Sequence, residues 1–282
     1  MAALGDNRYG KTRVRLVRVK RRPDRHDFCE WTVQILLRGD FASCFEEGDN
    51  SKILATDTMK NTVYSLARDS SATSMEEFGK ELIDFLLDRN PQVSQAEVTI
   101  WEKAWERIVA GGKPHSTAFV QTSNERQRAT ISRAQGGGFL VAAGLDDLVI
   151  MKTAASGFEG YVQDSLTTLP PTADRLLGTA VRANWTYKSA DLAFAKLRAK
   201  IRGILLEVFA GHDSKSVQHT LYAMGEAVLR AVADVDEIDL IMPNMHCLLV
   251  DLSRFGQDNP NEIFVPTDEP SGYIEACVRR NG

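Results

Sequence analysis

The chain has 282 residues and a formal net charge of -4 at neutral pH. This acidic balance argues against a dedicated nucleic-acid-binding protein, because neutralising phosphates requires an excess of basic groups. With 43% hydrophobic and 26% charged residues, the composition is that of a folded globular protein rather than a disordered one. No apolar run approaches the roughly 20 residues that cross a bilayer, so we expect no membrane span.

The four cysteines, Cys29, Cys44, Cys247 and Cys277, are widely spaced and form no CxxC pair. This spacing favours free thiols in a reducing compartment over disulfides or a zinc knuckle. The charged N-terminal residues lack the hydrophobic segment of a secretory signal, and residues 278–282 carry no Ser-Lys-Leu peroxisomal address. We therefore predict a cytoplasmic protein.

The first predicted elements are two paired strands. Charged and apolar residues alternate over 13–22 and shift phase near Leu16, which predicts a strand with one solvated face and a bulge at that point. Alternation from Trp31 to Leu37 predicts a second strand, which ends at Gly39 and pairs with the first.

Helical spacing begins at Thr56, so we expect either Thr56 or Asp57 to be the N-cap of the first helix. Ser74 and Glu77 form a capping-box pattern ahead of a second helix, which Pro91 terminates. Two strand-like runs follow, at 96–105 and 118–132, separated by Gly111-Gly112 and interrupted by the polar residues 123–125.

The second half repeats this order of elements. We predict one bent strand or two separate strands between 139 and 151, a strand over 179–187, helices over 192–211 and 217–228, and strands over 238–242 and 246–251. Two halves, 1–134 and 135–282, each with the order strand, strand, helix, helix, strand, strand, indicate an α+β fold of antiparallel sheets with helices on one face.

Motifs for nucleotide cofactors and metals are missing from the sequence. The triple glycine at 136–138 lacks the Gly-Lys-Ser/Thr ending of a P-loop, and no GxGxxG follows a predicted strand. The five histidines contain no HExxH, no HxH and no carboxylate-spaced set. We predict no metal site.

Two predicted helix starts could bind an anion. Thr56-Asp57 and Val217-Gln218 both lie where free backbone N–H groups point outward and favour negative charge. Each also has a purely structural interpretation, as a helix cap in the first case and a surface glutamine in the second.

Four further side chains are ambiguous when taken singly. Lys11 begins the basic strand and could be a surface lysine, while Arg175 precedes a strand and could be a solvated edge charge. Phe158 could belong to the core or stack on a ligand. His246 starts an apolar strand and could be a hydrogen-bonded structural histidine. Spacing alone does not decide among these interpretations.

Taken together, these residues fall in blocks whose order is informative. The blocks are Tyr9-Gly10-Lys11, Ala55-Thr56-Asp57, Phe158-Glu159-Gly160-Tyr161, Asp174-Arg175, Ser216-Val217-Gln218 and Pro243-Asn244-Met245-His246. In this pattern the chain resembles the urate oxidase (uricase) family over nearly its whole length. It departs from the family at Met245, where lysine is expected, and in lacking the peroxisomal tail.

The resemblance implies the tunnelling fold. The family has two tandem ββααββ domains, here 1–134 and 135–282, and assembles as a homotetramer whose sheets close into a barrel. Active sites lie at subunit interfaces in that assembly. Lys11, Thr56 and Asp57 of one chain would then complete a pocket formed by Phe158, Arg175 and Gln218 of its neighbour.

The resemblance also implies the reaction and the residue roles. Urate would be oxidised by O2 and water to 5-hydroxyisourate and hydrogen peroxide, without a metal or other cofactor. The implied catalytic residues are Lys11 and Thr56, acting together as a base, and His246, acting as a proton relay. The implied substrate-binding residues are Thr56, Asp57, Phe158, Leu169, Arg175, Val217, Gln218 and Asn244.

Two alternatives stay open at this point. Another tunnelling-fold enzyme could act on a pterin or purine nucleotide, although such enzymes use zinc or bind triphosphate and the matching motifs are missing. A urate-binding relative could instead have kept the pocket and lost the chemistry, although Lys11, Thr56 and His246 are all present.

Overall fold

A computed structural model describes residues 2–281, apart from the side chain of Asp268. Its backbone divides into two compact units. The first unit contains Met1–Gly144 and Thr186–Ala195, and the second contains Leu145–Trp185 and Lys196–Gly282. Antiparallel strands and a few helices make up the chain, which confirms the predicted α+β class. The domain limits 1–134 and 135–282 stay a prediction.

The first unit is built on four antiparallel strands in the order β1-β2-β3-β4. Its elements are β1 (Tyr9–Arg21), β2 (His26–Gly39), α1 (Ala42–Glu46), α2 (Thr56–Asp69), α3 (Met75–Arg89), β3 (Val93–Ala110) and β4 (Lys113–Ala134). A further strand, β5 (Leu140–Lys152), begins in this unit and continues in the second.

The core of the first unit follows from strand alternation and helical spacing. Val33, Ile35 and Leu37 project from one face of β2 and are fully buried. Helix α2 packs on β1, and α3 packs on β3 and β4. The predicted capping box is confirmed, because the Ser74 hydroxyl accepts from the Glu77 N–H and the Glu77 carboxylate accepts from the Ser74 N–H.

The bulge predicted in β1 lies elsewhere. The register with β2 shifts between Lys11 and Val14, where Arg13 has a φ of 57°, and it is regular from Val14 onward. The prediction near Leu16 was wrong because Val17, although apolar, is 56% exposed. The alternation therefore keeps its phase, and Val17 belongs to the solvated face.

The remaining strands and helices lie in the second unit, apart from the last two residues of one strand and the first two of one helix, which fall within Thr186–Ala195. They are β6 (Leu177–Tyr187), α4 (Phe194–Gly211), α5 (Val217–Ala231), β7 (Val235–Ile241), β8 (Asn244–Leu249), β9 (Phe264–Gly272) and β10 (Glu275–Arg279). Strand β7 lies between β6 and β10, while β8 pairs with β6 and β9. Strands β9 and β10 were not predicted from the sequence.

The structure resolves one ambiguity of the sequence and explains one strand break. Strand β5 is one strand and not two, and it contains Asp147 at a φ of 61°. Pro243 separates β7 from β8 and has no N–H to continue a ladder, which fits the different partners of these two strands. No helix within residues 2–281 has both the length and the apolarity needed to span a membrane.

Candidate functional site

The ten predicted site residues lie on both units. Lys11, Thr56 and Asp57, here called the first-unit set, belong to the first unit. The second unit holds the other seven. These comprise the second-unit set, which is Phe158, Leu169, Arg175, Val217 and Gln218, and the Asn244–His246 pair.

Lys11 lies on β1, where the strand runs very close to its neighbour. Tyr9, Gly10 and Lys11 pair with Leu37, Leu36 and Ile35 of β2. A β-carbon added to Gly10 would lie 1.8 Å from the carbonyl oxygen of Ile35, so only glycine fits there. The register shift begins directly after Lys11. Close strand contact on one side and a bulge on the other therefore fix the backbone of Lys11.

Thr56 and Asp57 form the first turn of α2. The N-cap is Ala55, with a φ of -56° and a ψ of 135°, so the expectation that Thr56 or Asp57 caps the helix was wrong. Alanine has no side-chain oxygen, and no side chain caps this helix start. The backbone N–H groups of the first turn therefore point outward, as an anion-binding helix start requires.

The Asp57 carboxylate is engaged within its own helix. Its oxygens accept from Lys60 Nζ at 2.5 Å and from Asn61 Nδ2 at 3.0 Å. The hydrogen bond from Lys60 is the main cause that lowers the pKa of Asp57, and the charge of Lys11 lowers this pKa further. Lys11 thus lies within electrostatic range of Asp57. The Asp57 carboxylate is occupied within its helix, so the group of Asp57 that a ligand could use is the backbone N–H.

Arg175 and Phe158 form the centre of the second-unit set. The guanidinium carbon lies 5.1 Å from the centroid of the Phe158 ring. Arg175 Nε is buried and has no hydrogen-bond partner among the described residues. Burial lowers the pKa of Arg175 because water is removed from the charged form. A partly desolvated cation beside an aromatic face is suited to a flat anion.

Backbone hydrogen bonds tie three segments together around Phe158. The Ser156 N–H donates to the Asp174 carboxylate at 3.0 Å, next to Arg175. Phe158 and Thr172 exchange two backbone bonds of 2.8 and 3.1 Å. The Gly157 N–H donates to the Ser214 carbonyl at 2.8 Å, just before α5. The Phe158 loop, the Arg175 loop and the start of α5 are therefore held side by side.

Val217 and Gln218 occupy the first turn of α5, as predicted. Ser216 is the N-cap, and its hydroxyl accepts from the His219 N–H at 3.1 Å. Val217 is buried at 3% exposure, while Gln218 is exposed. The buried Val217 side chain thus fixes this turn against the core, and the Gln218 amide is exposed to solvent.

A second aromatic residue, Tyr161, lies in this region, and the sequence predicted no role for it. Tyr161 stacks on Phe158 with ring centroids 4.8 Å apart and an angle of 11° between the planes. Its hydroxyl donates to the carbonyl of Leu169, whose own side chain is 52% exposed. Tyr161 therefore supports the Phe158 ring and positions Leu169. The only indication in the sequence was that Phe158 and Tyr161, two aromatic residues, are three positions apart.

Asn244 and His246 are next to each other at the start of β8. Asn244 Nδ2 lies 3.2 Å from His246 Nδ1, and the amide donates when that nitrogen carries no proton. Asn244 is 8% exposed and pairs with Thr179 of β6, four residues after Arg175. This hydrogen bond favours the histidine tautomer with its proton on Nε2.

No group of three or more histidine, cysteine, aspartate or glutamate side chains is placed to hold a metal ion within residues 2–281. The rings of His212 and His219 lie close together, with centroids 4.3 Å apart. His212 Nδ1 lies 3.1 Å from the Thr220 hydroxyl, and the His219 N–H belongs to the cap of α5. Both therefore support the start of that helix.

Comparison with known proteins gives consistent matches. A family model described as Uricase matches residues 7–132 and 141–275. The uricase of Arthrobacter globiformis is 41% identical over 279 residues, which cover 99% of this chain and 90% of that protein. The uricase of Dictyostelium discoideum is 39% identical over 284 residues, which cover 100% of this chain and 99% of that protein.

Solved structures give the same result. A crystal structure of the Arthrobacter globiformis uricase has a TM-score of 0.94 with this chain at 39% sequence identity. The alignment covers 100% of this chain and 96% of that chain. The similarity therefore extends over both units and is not confined to the motif blocks.

Proposed function

The chain belongs to the uricase family, and from that premise we propose that it oxidises urate with molecular oxygen and water to 5-hydroxyisourate and hydrogen peroxide, without a metal or organic cofactor. Family membership supports its assignment as a urate oxidase, an oxidoreductase. The products, the role of O2 and the independence from cofactors are our proposal. The cytoplasm stays its predicted compartment.

The environment of Arg175 is the observation that carries the proposal. Urate is a planar, electron-rich anion at neutral pH, so it needs an aromatic surface and donors along one edge. Arg175 supplies a partly desolvated guanidinium with a free buried Nε, and it lies over Phe158. Gln218 adds an exposed amide at the adjoining helix start. In this proposal Phe158 stacks on the ring, Leu169 borders its plane, and the N–H of Val217 donates to a carbonyl.

We propose that a complete site requires two chains. The proposed assembly is a homotetramer of chains with two tandem tunnelling-fold domains each, in which the sheets close into a barrel. The first-unit set of one chain then faces the second-unit set of its neighbour. Support comes from the family, and from the exposure of Asp57 and Gln218, which leaves both helix starts accessible to a partner.

Proton removal is the step assigned to the first-unit set. Dioxygen reacts slowly with closed-shell molecules, so urate must become a stronger electron donor by losing a second proton. Lys11 and Thr56 act together as the base, with the threonine hydroxyl passing the proton to the lysine amine. The backbone N–H groups at Thr56 and Asp57 stabilise the developing negative charge.

Oxygen chemistry is assigned to the side of the ring near Asn244 and His246. The urate dianion gives two electrons to O2, a C–O bond forms at a ring carbon, and the proton held by the Lys11–Thr56 base passes to the outer oxygen to give a hydroperoxide. That bond breaks as a proton delivered by His246 completes hydrogen peroxide. A water molecule held by Asn244 then adds to the oxidised ring, and the relay removes its proton to leave 5-hydroxyisourate.

The direct test is to mix purified protein with urate in air. We expect the near-ultraviolet absorbance of urate to fall while oxygen is consumed and peroxide is released in equal amounts. The rate should survive exhaustive treatment with a chelator. Binding of urate without oxygen uptake would identify a non-catalytic relative, and activity that returns only with added metal would contradict the cofactor-free reaction.

Mixed oligomers test whether one site uses two chains. At a urate concentration near the wild-type KM, we expect the Lys11→Met and Arg175→Ala variants to be nearly inactive alone and to regain activity when they are unfolded, mixed and reassembled together. Roughly a quarter of the sites in an equal random mixture would combine an intact Lys11 with an intact Arg175. Each variant reassembled alone is the control. Absence of recovery in verified mixed oligomers would place both residues of a site on one chain.

A further inference from the structure

Tyr9 makes an unusual pair of hydrogen bonds. Its hydroxyl accepts from the Leu54 N–H at 2.8 Å and donates to the Leu54 carbonyl at 3.2 Å, across 45 residues of sequence. One side-chain oxygen thus satisfies both backbone groups of a single loop residue. The ring packs edge to face on the buried Phe41, with centroids 4.8 Å apart.

The Tyr9 hydroxyl connects two residues, Tyr9 and Leu54, that each lie two positions before a residue of the proposed base. Tyr9 and Lys11 lie on the same face of β1, because the register is regular from Tyr9 to Lys11. Leu54 precedes Thr56 by two residues, with the N-cap Ala55 between them. The Tyr9 hydroxyl therefore links the strand that holds Lys11 to the segment that begins α2.

This link is needed because the start of α2 has no side-chain cap of its own. Without a capping side chain, the position of the first turn depends on contacts made by the preceding loop. Tyr9 supplies such a contact, and it makes it from the strand that also holds Lys11. Burial raises the pKa of Tyr9, so the hydroxyl keeps the proton that it donates.

We propose that Tyr9 is a positioning residue that fixes the separation between the Lys11 amine and the Thr56 hydroxyl. The inference rests on the proposed function, in which these two groups share a proton. Catalytic geometry is sensitive to displacements of about 1 Å, which can lower a rate about a hundredfold. Tyr9 touches neither substrate nor oxygen in this proposal, so its loss should affect turnover more than binding.

The test is Tyr9→Phe, which removes one oxygen atom and keeps the ring on Phe41. We expect kcat to fall at least tenfold, while the Kd for urate, measured by titration without oxygen, stays within threefold of wild type. Tyr64→Phe is the matched control. The Tyr64 hydroxyl also connects α2 to β1, donating to the Arg15 carbonyl at 3.4 Å, and its loss should leave kcat unchanged.

A second variant separates positioning from stability. Phe41→Leu weakens the packing under the Tyr9 ring but keeps the hydroxyl, so it should lower the melting temperature with a smaller loss of kcat than Tyr9→Phe. A Tyr9→Phe enzyme with wild-type kcat would overturn the proposal. The proposal would also be overturned if Tyr9→Phe and Phe41→Leu lowered the melting temperature equally and lowered kcat equally, because the loss of kcat would then follow from lost stability. Failure of the proposed function is distinct, because the wild-type protein would then consume no oxygen with urate.

Discussion

The Lys11→Met variant is expected to lower kcat by about 10²- to 10⁴-fold while the affinity for urate changes little. Methionine is unbranched and nearly as long as lysine. It therefore keeps the packing of the lysine methylene groups near the bulge and removes only the amine. The range is the usual contribution of a positioned proton-transfer group. Substrate binding should persist because Phe158, Arg175 and Gln218 belong to a different set.

Steady-state oxygen uptake gives kcat for this variant, and titration with urate under nitrogen gives its affinity. Lys113→Met is the matched control, since Lys113 is an exposed lysine at the end of the β3–β4 hairpin and belongs to neither site set. Equal kcat in Lys11→Met and wild type would remove lysine from the role of base.

The Arg175→Ala variant is expected to bind urate much more weakly. Each hydrogen bond from a charged group contributes about 1.5–3 kcal/mol, which corresponds to roughly a ten- to hundredfold change in affinity per bond. A guanidinium offers two such bonds to a flat anion. Loss of both should raise KM and the anaerobic Kd together, and kcat at saturating urate should fall less than in Lys11→Met.

The same variant should keep its stability. Arg175 Nε is buried without a partner, so removing the guanidinium removes an unsatisfied donor and a desolvated charge. We expect the melting temperature without urate to stay the same or rise. Arg230→Ala is the control, because Arg230 carries an exposed charge paired with the exposed Glu226 in the same unit. An unchanged Kd in Arg175→Ala would contradict the proposed clamp on the substrate.

Periodicity predicted most of the long elements but not the polar ones at the C-terminal end. Helix α3 was recognisable from its capping box, and β2 from its strict alternation. Strand β9 (Phe264–Gly272) contains two prolines and few apolar residues, so nothing in its pattern indicated a strand. Only pairing with β8, a tertiary interaction, makes it one.

The identities of the site residues came from the order of the motif blocks, and spacing alone left them ambiguous. What the sequence could not predict were bonds between a side chain and a distant backbone, such as Tyr9 with Leu54 and Asp174 with Ser156. A backbone N–H or carbonyl exists at almost every position, so the accepting residue has no signature. The N-cap at Ala55 was missed for a similar reason, because alanine carries no capping oxygen.

Gly10 sets a limit on how this enzyme can be engineered. The carbonyl of Ile35 occupies the space that any β-carbon would need, so even alanine must push β1 away from β2. Lys11 is the next residue and would move with the backbone. Mutant libraries that aim at heat tolerance should therefore keep glycine at position 10. A substitution that made the strand more rigid there would also displace the Lys11 amine.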